Sequence, residues 1–539
     1  MGEGLTDFGT LNWTILGFYL AANIYLGFAL SKRVSTAEDF YVGRRTTPWW
    51  AIGISVVATY VSALSFLGGP AWVYSESLAV ILIHVNYPLV IFIVITFFLP
   101  FFFNSGVASI YEYQERRFGP TARTTMAAIF LLSQALTSAA ILYATSLVIQ
   151  FITGIDVVTA IVAVSLVALV YTMLGGITAV IWTDVIQAGV LLVGATIILF
   201  ALIDELPVPV LDLLASLEAS GKTATLDWSL DLTREATVWS GIIAMTLFHT
   251  TVYGANQMMV QRTLAAKSIG DAKKSFLMMG YAAFFIYFLF MFLGVLFYGY
   301  YEGREFENGN TIILQFASDY GLPGLMGVIA AAVIAASMSS LDSSLNSMAT
   351  VSTVDFYERF LRSGRSPEHY LKVNRLFTVV WAAAIIIPAI LYSRSEGSIL
   401  QTLSQVGAYF VGAKLSMYGL GFFSKQATER GVLVGVVVGF VVIWAVATQT
   451  DIAWPWYCLI GGVVNIVVSL IASRLLDGEQ AEYSEYTVRG QQQLFRETGK
   501  AERQDGWYVV PGKVDKQSYG LIVFFLFTLV FLWLADVLI

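Results

Sequence analysis

Runs of roughly twenty apolar residues recur about fourteen times along this chain of 539 residues, and few arrangements can accommodate so many. Each run is long enough to cross the ~30 Å hydrocarbon core of a bilayer as a helix. Lipid offers the backbone no hydrogen-bond partner, and a helix satisfies its own N–H and C=O groups, so each run predicts a spanning helix. The expected spans are 10–32, 48–75, 78–104, 121–151, 156–175, 180–203, 237–259, 275–301, 324–356, 371–394, 399–424, 429–448, 454–474 and 517–538, here called segments 1 to 14. Composition agrees. The chain is 57% hydrophobic with a mean hydropathy of +0.73, and its 12% charged residues are half the roughly 25% of soluble domains. Leu11 to Leu30 precedes Ser31, Lys32 and Arg33, an order that suits a first spanning helix better than a cleaved secretion signal. The single Cys458 excludes an intramolecular disulfide, and His84, His249 and His369 are too scattered to suggest a metal cluster.

Charge orders the segments. Lys32, Arg33, Arg44, Arg45, Arg116, Arg117, Arg123, Arg262, Lys267, Lys273, Lys274, Arg359, Arg362, Arg365, Lys372 and Arg375 fall at alternate connections. The long loops between them are acidic, with Asp204, Glu205, Asp212, Glu218, Asp227 and Asp231 in one and Glu302, Glu305 and Glu307 in the other. The positive-inside rule puts the basic connections in the cytoplasm and both termini outside. The net charge of −7 adds little, because distribution matters more than the sum.

Segment 2 carries Gly68-Gly69-Pro70 and segment 7 carries Tyr253-Gly254-Ala255-Asn256-Gln257, so both read as broken helices. They lie five segments apart, and an odd repeat unit inverts its second copy. Matching interruptions in two halves point to an inverted-repeat carrier with its site near the midplane. The expected divisions are 1–47 for segment 1 and its loop, 48–203 for the first repeat and 204–236 for an outer loop with a short helix near 210–219, a candidate lid. The second repeat follows at 237–424, then 425–474 for segments 12 and 13, 475–516 for a partly ordered cytoplasmic linker, and 517–539 for the last helix.

The richest polar stretch lies inside segment 9, from Ile334 to Met348. Ser339, Asp342, Ser343 and Asn346 recur there at helical spacing and form one stripe. Polar side chains within a spanning helix are costly and face a pathway or a partner. Helix packing explains the serines but not Asp342. A row of hydroxyls and one carboxylate suits a small hard cation such as Na⁺.

These residues resemble the sodium/solute symporter family, which includes sodium–glucose, sodium–iodide and sodium–proline carriers. The matching motifs are Thr36-Ala-Glu-Asp-Phe-Tyr-Val-Gly-Arg-Arg45, Leu174-Gly-Gly-Ile-Thr-Ala-Val-Ile-Trp-Thr-Asp-Val-Ile-Gln187, Asn256-Gln-Met-Met-Val-Gln-Arg-Thr-Leu-Ala-Ala-Lys267, and the serine-rich segment 9 through Asp355-Phe-Tyr357. The resemblance implies an all-α membrane protein with a five-plus-five inverted repeat, segments 2–6 and 7–11. It implies a first sodium site of the Ala58, Val61 and Ala336 carbonyls with the Ser339 and Ser340 hydroxyls. Such neutral oxygens replace part of a hydration shell without holding the ion too tightly. Some family members bear a second sodium site, whose matching positions are Asp184, Asp342 and Ser343. Asp342 departs from the usual hydroxyl there.

The family's sugar carriers hold hexose through side chains whose matching positions are Ser65, His84, Ala283 and Asn256, with Met258 near a stacking tyrosine. Only the asparagine survives, and an unmatched polar group costs about 1–3 kcal/mol, so that sugar pocket is not carried over. Leu67-Gly-Gly-Pro-Ala71 and Tyr74 look more like the iodide, monocarboxylate and multivitamin branch. Helix facing adds Tyr60, Phe66, Tyr87, Gln134, Gln405 and Tyr409 as pocket walls. His84 and Lys414 are candidate partners for a substrate carboxylate. An ammonium near the bilayer centre costs at least about 2.5–3.5 kcal/mol, so Lys414 requires either a substrate anion or a carboxylate such as Asp342 or Asp184. The intramolecular pair is slightly preferred.

The expected function is sodium-coupled symport of a small organic acid by alternating access, with a sugar or polyol as alternative. A sensor reusing the fold is the competing class, but 477–516 is short for a signalling domain. A membrane enzyme would need a metal cluster or a Ser–His pair at sensible spacing, and broken helices at matching places argue against a channel. The expected partners are Na⁺, a small solute and lipid, with no nucleic acid. The expected working unit is a monomer in a bacterial inner membrane.

Overall fold

The computed structural model describes residues 8–31, 45–105, 109–174, 177–394, 398–478 and 483–538. Lys32, Arg33 and Arg44, most of the first family motif, and Gly175-Gly176 lie outside them. Helix occupies all fourteen expected stretches. Segment 1 is Thr10–Ser31, segment 2 Trp49–Tyr60 with Leu64–Ser75, segment 3 Leu78–Asn104, segment 4 Pro120–Thr153, segment 5 Val157–Leu174, segment 6 Ile177–Glu205 and segment 7 Met245–Gly254 with Gln257–Leu264. Segment 8 is Ile269–Tyr300, segment 9 Leu325–Leu361, segment 10 Pro367–Tyr392, segment 11 Ile399–Phe423, segment 12 Glu429–Gln449, segment 13 Pro455–Asp477 and segment 14 Lys516–Val537. Nine of these are long and apolar enough to cross a membrane alone, and the bent second segment makes ten among the described residues.

Segments 2, 3, 7 and 8 pack on one another, and so do segments 4, 5, 9 and 10. Segment 9 lies between the groups, touching segments 2, 4, 5, 6 and 10, and is buried along almost its whole length. Segments 12 and 13 pair through small residues: a Cβ on Gly431 or Gly435 would come within 2.0 Å of the Ser473 or Ser469 hydroxyl.

The connections are tied down by contacts in two groups. In one, Arg123 meets Glu115 and Asp355, Arg359 reaches Glu115, and Arg117 donates to carbonyls of Gly421, Ser424 and Ala427. In the other, Lys222 donates to the carbonyls of Tyr74, Ser75 and Glu76, and Asp536 accepts from Thr225. The short helix of the long acidic loop is Val210–Glu218, and Leu213 packs it against Gly299 of segment 8.

The second break is not where the sequence put it. Gly68-Gly69-Pro70 stays helical, because the wide turn Leu64–Gly68 leaves Pro70 in the first turn of Gly69–Ser75, where its missing N–H costs nothing. Gly68 is there for closeness: a Cβ would sit 2.8 Å from Leu400 of segment 11. The chain leaves the helix at Val61 instead, and the two halves meet at 54°. In segment 7 the break falls at Ala255–Asn256, inside the expected stretch.

The stretch expected as a partly ordered linker is docked. It holds the helix Val488–Thr498 and a hairpin of Arg503–Gln504 with Trp507–Tyr508. Gly512 donates its N–H to Thr96 of segment 3, Asn104 reaches Val509, and buried Lys273 of segment 8 pairs with Asp515. Its fastening residues lie in the short run 507–512 and at Asp515, too few to show a periodicity.

Candidate functional site

A helix end leaves its last carbonyls without intrahelical donors, and the break after Tyr60 creates such an end inside the bundle. The Val61 N–H still reaches Val57 O at 3.1 Å, which leaves the next three carbonyls to others. Ser339 Oγ lies 3.4 Å from Ala58 O, Ser340 Oγ donates to Thr59 O at 2.9 Å, and Tyr287 OH reaches Tyr60 O at 3.3 Å. Segments 8 and 9 thus cap the broken end with hydroxyls. Beside it lies a cavity of about 20 Å³ lined by Val57, Ala58, Val61, Gln187, Ala336 and Ser339, among others. That is room for one water-sized particle. Four of the five residues expected at the first sodium site line this one cavity. The fifth, Ser340, turns its hydroxyl to Thr59 O and, one helical turn back, to Ala336 O at 3.3 Å.

The expected second site is differently occupied. Asp184 is fully buried, and its Oδ2 accepts from Arg262 Nη2 at 2.9 Å and from Ser55 Oγ, while Oδ1 accepts from Ser339 Oγ. Arg262 also donates to Ser55 Oγ at 2.8 Å, to Ser343 Oγ at 2.6 Å and to Met258 O at 2.9 Å. The guanidinium therefore binds two of the three residues expected to hold a second cation. Asp342 lies near Thr172, Asp184 and Arg262. The slight preference for a Lys414–carboxylate pair is overturned. Asp184 has Arg262, and Lys414 instead donates to Ser133 Oγ at 2.5 Å.

Most expected substrate residues form one aromatic cluster around the break. Asn256 Nδ2 donates to Tyr60 OH at 2.9 Å, and Ser65 Oγ lies 3.3 Å from Tyr287 OH. His84 stacks on Tyr287 with centroids 3.8 Å apart and pairs through Nδ1 with Tyr87 OH at 3.0 Å. Tyr87 in turn stacks on His249, and Tyr253 packs against Tyr60. Phe66 packs edge-on to Phe290 at the margin. Gln405 and Tyr409 do not join the cluster: Gln405 turns toward Glu235 at 3.5 Å and Tyr409 packs on Tyr457. Tyr253, Tyr287, His249 and Arg262 are the site residues that sequence reasoning missed.

Two broken helices joined by a serine-lined helix, with hydroxyl-capped carbonyls beside a water-sized cavity, are the architecture of a cation-coupled membrane carrier. A sequence model of the Sodium:solute symporter family matches residues 40–439, and the chain belongs to that family. It is a multi-pass, sodium-coupled secondary transporter rather than an enzyme. Among its relatives is the sodium/sialic acid symporter of Proteus mirabilis (strain HI4320), 31% identical over 87% of this chain and 96% of that one. The sodium-coupled monocarboxylate transporter 1 of Homo sapiens is 30% identical over 79% of this chain and 70% of its own. A solved structure of a Na⁺-coupled sialic acid symporter, substrate-bound and outward-open, superposes with a TM-score of 0.80 at 29% identity, covering 88% of this chain and all of that one.

Proposed function

We propose that the protein carries a small organic acid into the cell together with Na⁺. The observation that carries this reading is the cavity at the broken second segment, lined by Ala58, Val61, Ala336 and Ser339. Na⁺ is held there by carbonyl oxygens of segment 2 and hydroxyls of segment 9, with Ser340 as the fifth residue of the site. The ion joins the two packed groups of segments, so its occupancy favours the arrangement in which they touch. Arg262 supplies the positive charge that a second cation would bring to Asp184 and Ser343, which supports one Na⁺ per cycle. The acid is bound in the cluster of Tyr60, Ser65, His84, Tyr87 and Asn256, with Phe66 at its edge. Relatives that carry sialic acid and monocarboxylates support an acid over a sugar or polyol.

The face bearing Arg116, Arg117, Arg359 and the docked 483–518 stretch is cytoplasmic by the positive-inside rule, which sets both chain ends outside. We place the protein in a bacterial inner membrane, as its bacterial relatives suggest, working as a monomer. Uptake into proteoliposomes under an imposed Na⁺ gradient tests the reading, with labelled N-acetylneuraminate, pyruvate, lactate and glucose as probes. Sodium-dependent accumulation of an acid is expected. Equal uptake without Na⁺ removes the coupling, and sodium-dependent uptake of glucose alone reverses the substrate class.

A further inference from the structure

Five lysines and arginines are buried among the described residues. Arg123, Arg262 and Lys273 each meet a carboxylate, from Asp355, Asp184 and Asp515. Lys222, in the acidic loop, is saturated by three backbone carbonyls. Lys414 has neither kind of partner. It sits within segment 11, nearer the arginine-bearing end, and its ammonium makes one hydrogen bond, to Ser133 Oγ. Two of its three N–H groups remain for something else.

Its surroundings point to an anion. Lys414 Nζ lies 5.9 Å from the centre of the Phe130 ring, and Tyr111 packs against the same ring at 5.6 Å. Tyr111 is fully buried, near the Gln257 backbone, and its hydroxyl finds no acceptor. An ammonium and a phenol, both short of acceptors, therefore contact the same Phe130 ring. The place is joined to the substrate cluster by continuous contacts. Asn256 donates to Tyr60, its Oδ1 accepts from Met258 N, Ser344 Oγ meets Met258 Sδ, and Gln134 Nε2 donates to Ser344 Oγ beside Ser133.

We infer that Lys414, with the Tyr111 hydroxyl, is the anchor for the carboxylate of the transported acid on its way from the break to the basic face. The inference rests on the organic-acid reading and names the group that recognises the charge. A carboxylate offers acceptors only, and here the open groups are donors. The anion also brings Lys414 the opposite charge that no side chain supplies. Na⁺ at the break and the carboxylate at Lys414 then enter the bundle as a balanced pair, which is a physical basis for their travelling together.

The test uses the purified full-length protein in nanodiscs, followed by thermal shift. Pyruvate, lactate and N-acetylneuraminate are the probes, each against its methyl ester. A sodium-dependent shift with an acid and none with its ester is expected. Lys414→Gln should weaken acid binding by about tenfold or more, Lys414→Arg by less, and Tyr111→Phe by about fivefold. The Na⁺ concentration for half-maximal shift without acid should be unchanged in all three. Wild-type acid affinity in Lys414→Gln, or in Tyr111→Phe should the first variant not fold, overturns the anchor while leaving the organic-acid reading standing. A wild-type protein that responds to none of the three acids removes that reading, and the anchor with it.

Discussion

Ser339 and Ser340 sit on consecutive positions of segment 9 and meet consecutive carbonyls of the broken helix, Ala58 and Thr59. Truncating either removes one candidate oxygen from the ion. Ser339→Ala or Ser340→Ala should therefore raise the Na⁺ concentration for half-maximal uptake by about tenfold or more, or about 1.4 kcal/mol. A sodium titration of uptake checks it, and an unchanged requirement in both would move the ion away from segment 9. Arg262 makes the second residue-scale prediction. Arg262→Gln leaves the Asp184 carboxylate buried without its partner, which should cost about 3–5 kcal/mol, whereas adding Asp184→Asn should restore much of it. Thermal unfolding of the three proteins measures this, and simple additivity would deny that the pair is coupled. With the guanidinium in place, wild type should show a Na⁺ Hill coefficient near one, unchanged in Asp342→Asn. Four of the five residues expected at the first site come together because two family motifs place them on two helices that pack. Arg262 was not legible: with segment 7 ended at 259 it read as a loop charge, whereas the break carries a further half-helix, Gln257–Leu264, through the buried interior. The demand of a buried Asp184 for a cation was the available signal.

Element boundaries show the same limit from another side. Helical character was readable at every segment, since twenty apolar residues leave lipid-exposed backbone little choice. Where a helix breaks was harder to read. Gly-Gly-Pro is ordinary punctuation, yet the wide turn Leu64–Gly68 absorbs it, and the break falls in Val61–Ala63, where side chains from segments 8 and 9 cap the freed carbonyls. Tertiary partners, not local propensity, chose the place. Glycine acts differently in segments 12 and 13, where Gly431 and Gly435 let two helices touch through Ser473 and Ser469. Gly435→Val forces them apart and should cost about 1–3 kcal/mol, the usual range for overpacking. Because this pair stands outside both groups of segments around the break, the expected result is a lower unfolding temperature with an unchanged Na⁺ requirement. A changed requirement at wild-type stability would tie segments 12 and 13 to the ion cycle.

At the scale of the whole molecule, two bodies meet at the cavity beside the broken second segment. Segments 2, 3, 7 and 8 form one, and segments 4, 5, 9 and 10 the other. The docked stretch after segment 13 belongs to the first body, because it bonds Thr96 and Asn104 of segment 3 and closes a buried pair between Lys273 of segment 8 and Asp515. Breaking that pair would leave a charge uncompensated, so the stretch cannot swing free cheaply. Alternating access in this protein should then move the second body against the first with the stretch riding along. Spin labels make the difference measurable. A label at exposed Gln504 of the hairpin should keep its distance to one at Lys274 of segment 8 whether or not Na⁺ and acid are present. The distance from Gln504 to exposed Lys372 of segment 10 should change when both are withdrawn, since the cavity that Ala58 and Ser339 line spans the divide and loses its ion. If the Gln504–Lys274 distance shifts as much as the other, the stretch is a moving element in its own right. If neither shifts, sodium does not govern how the two bodies meet.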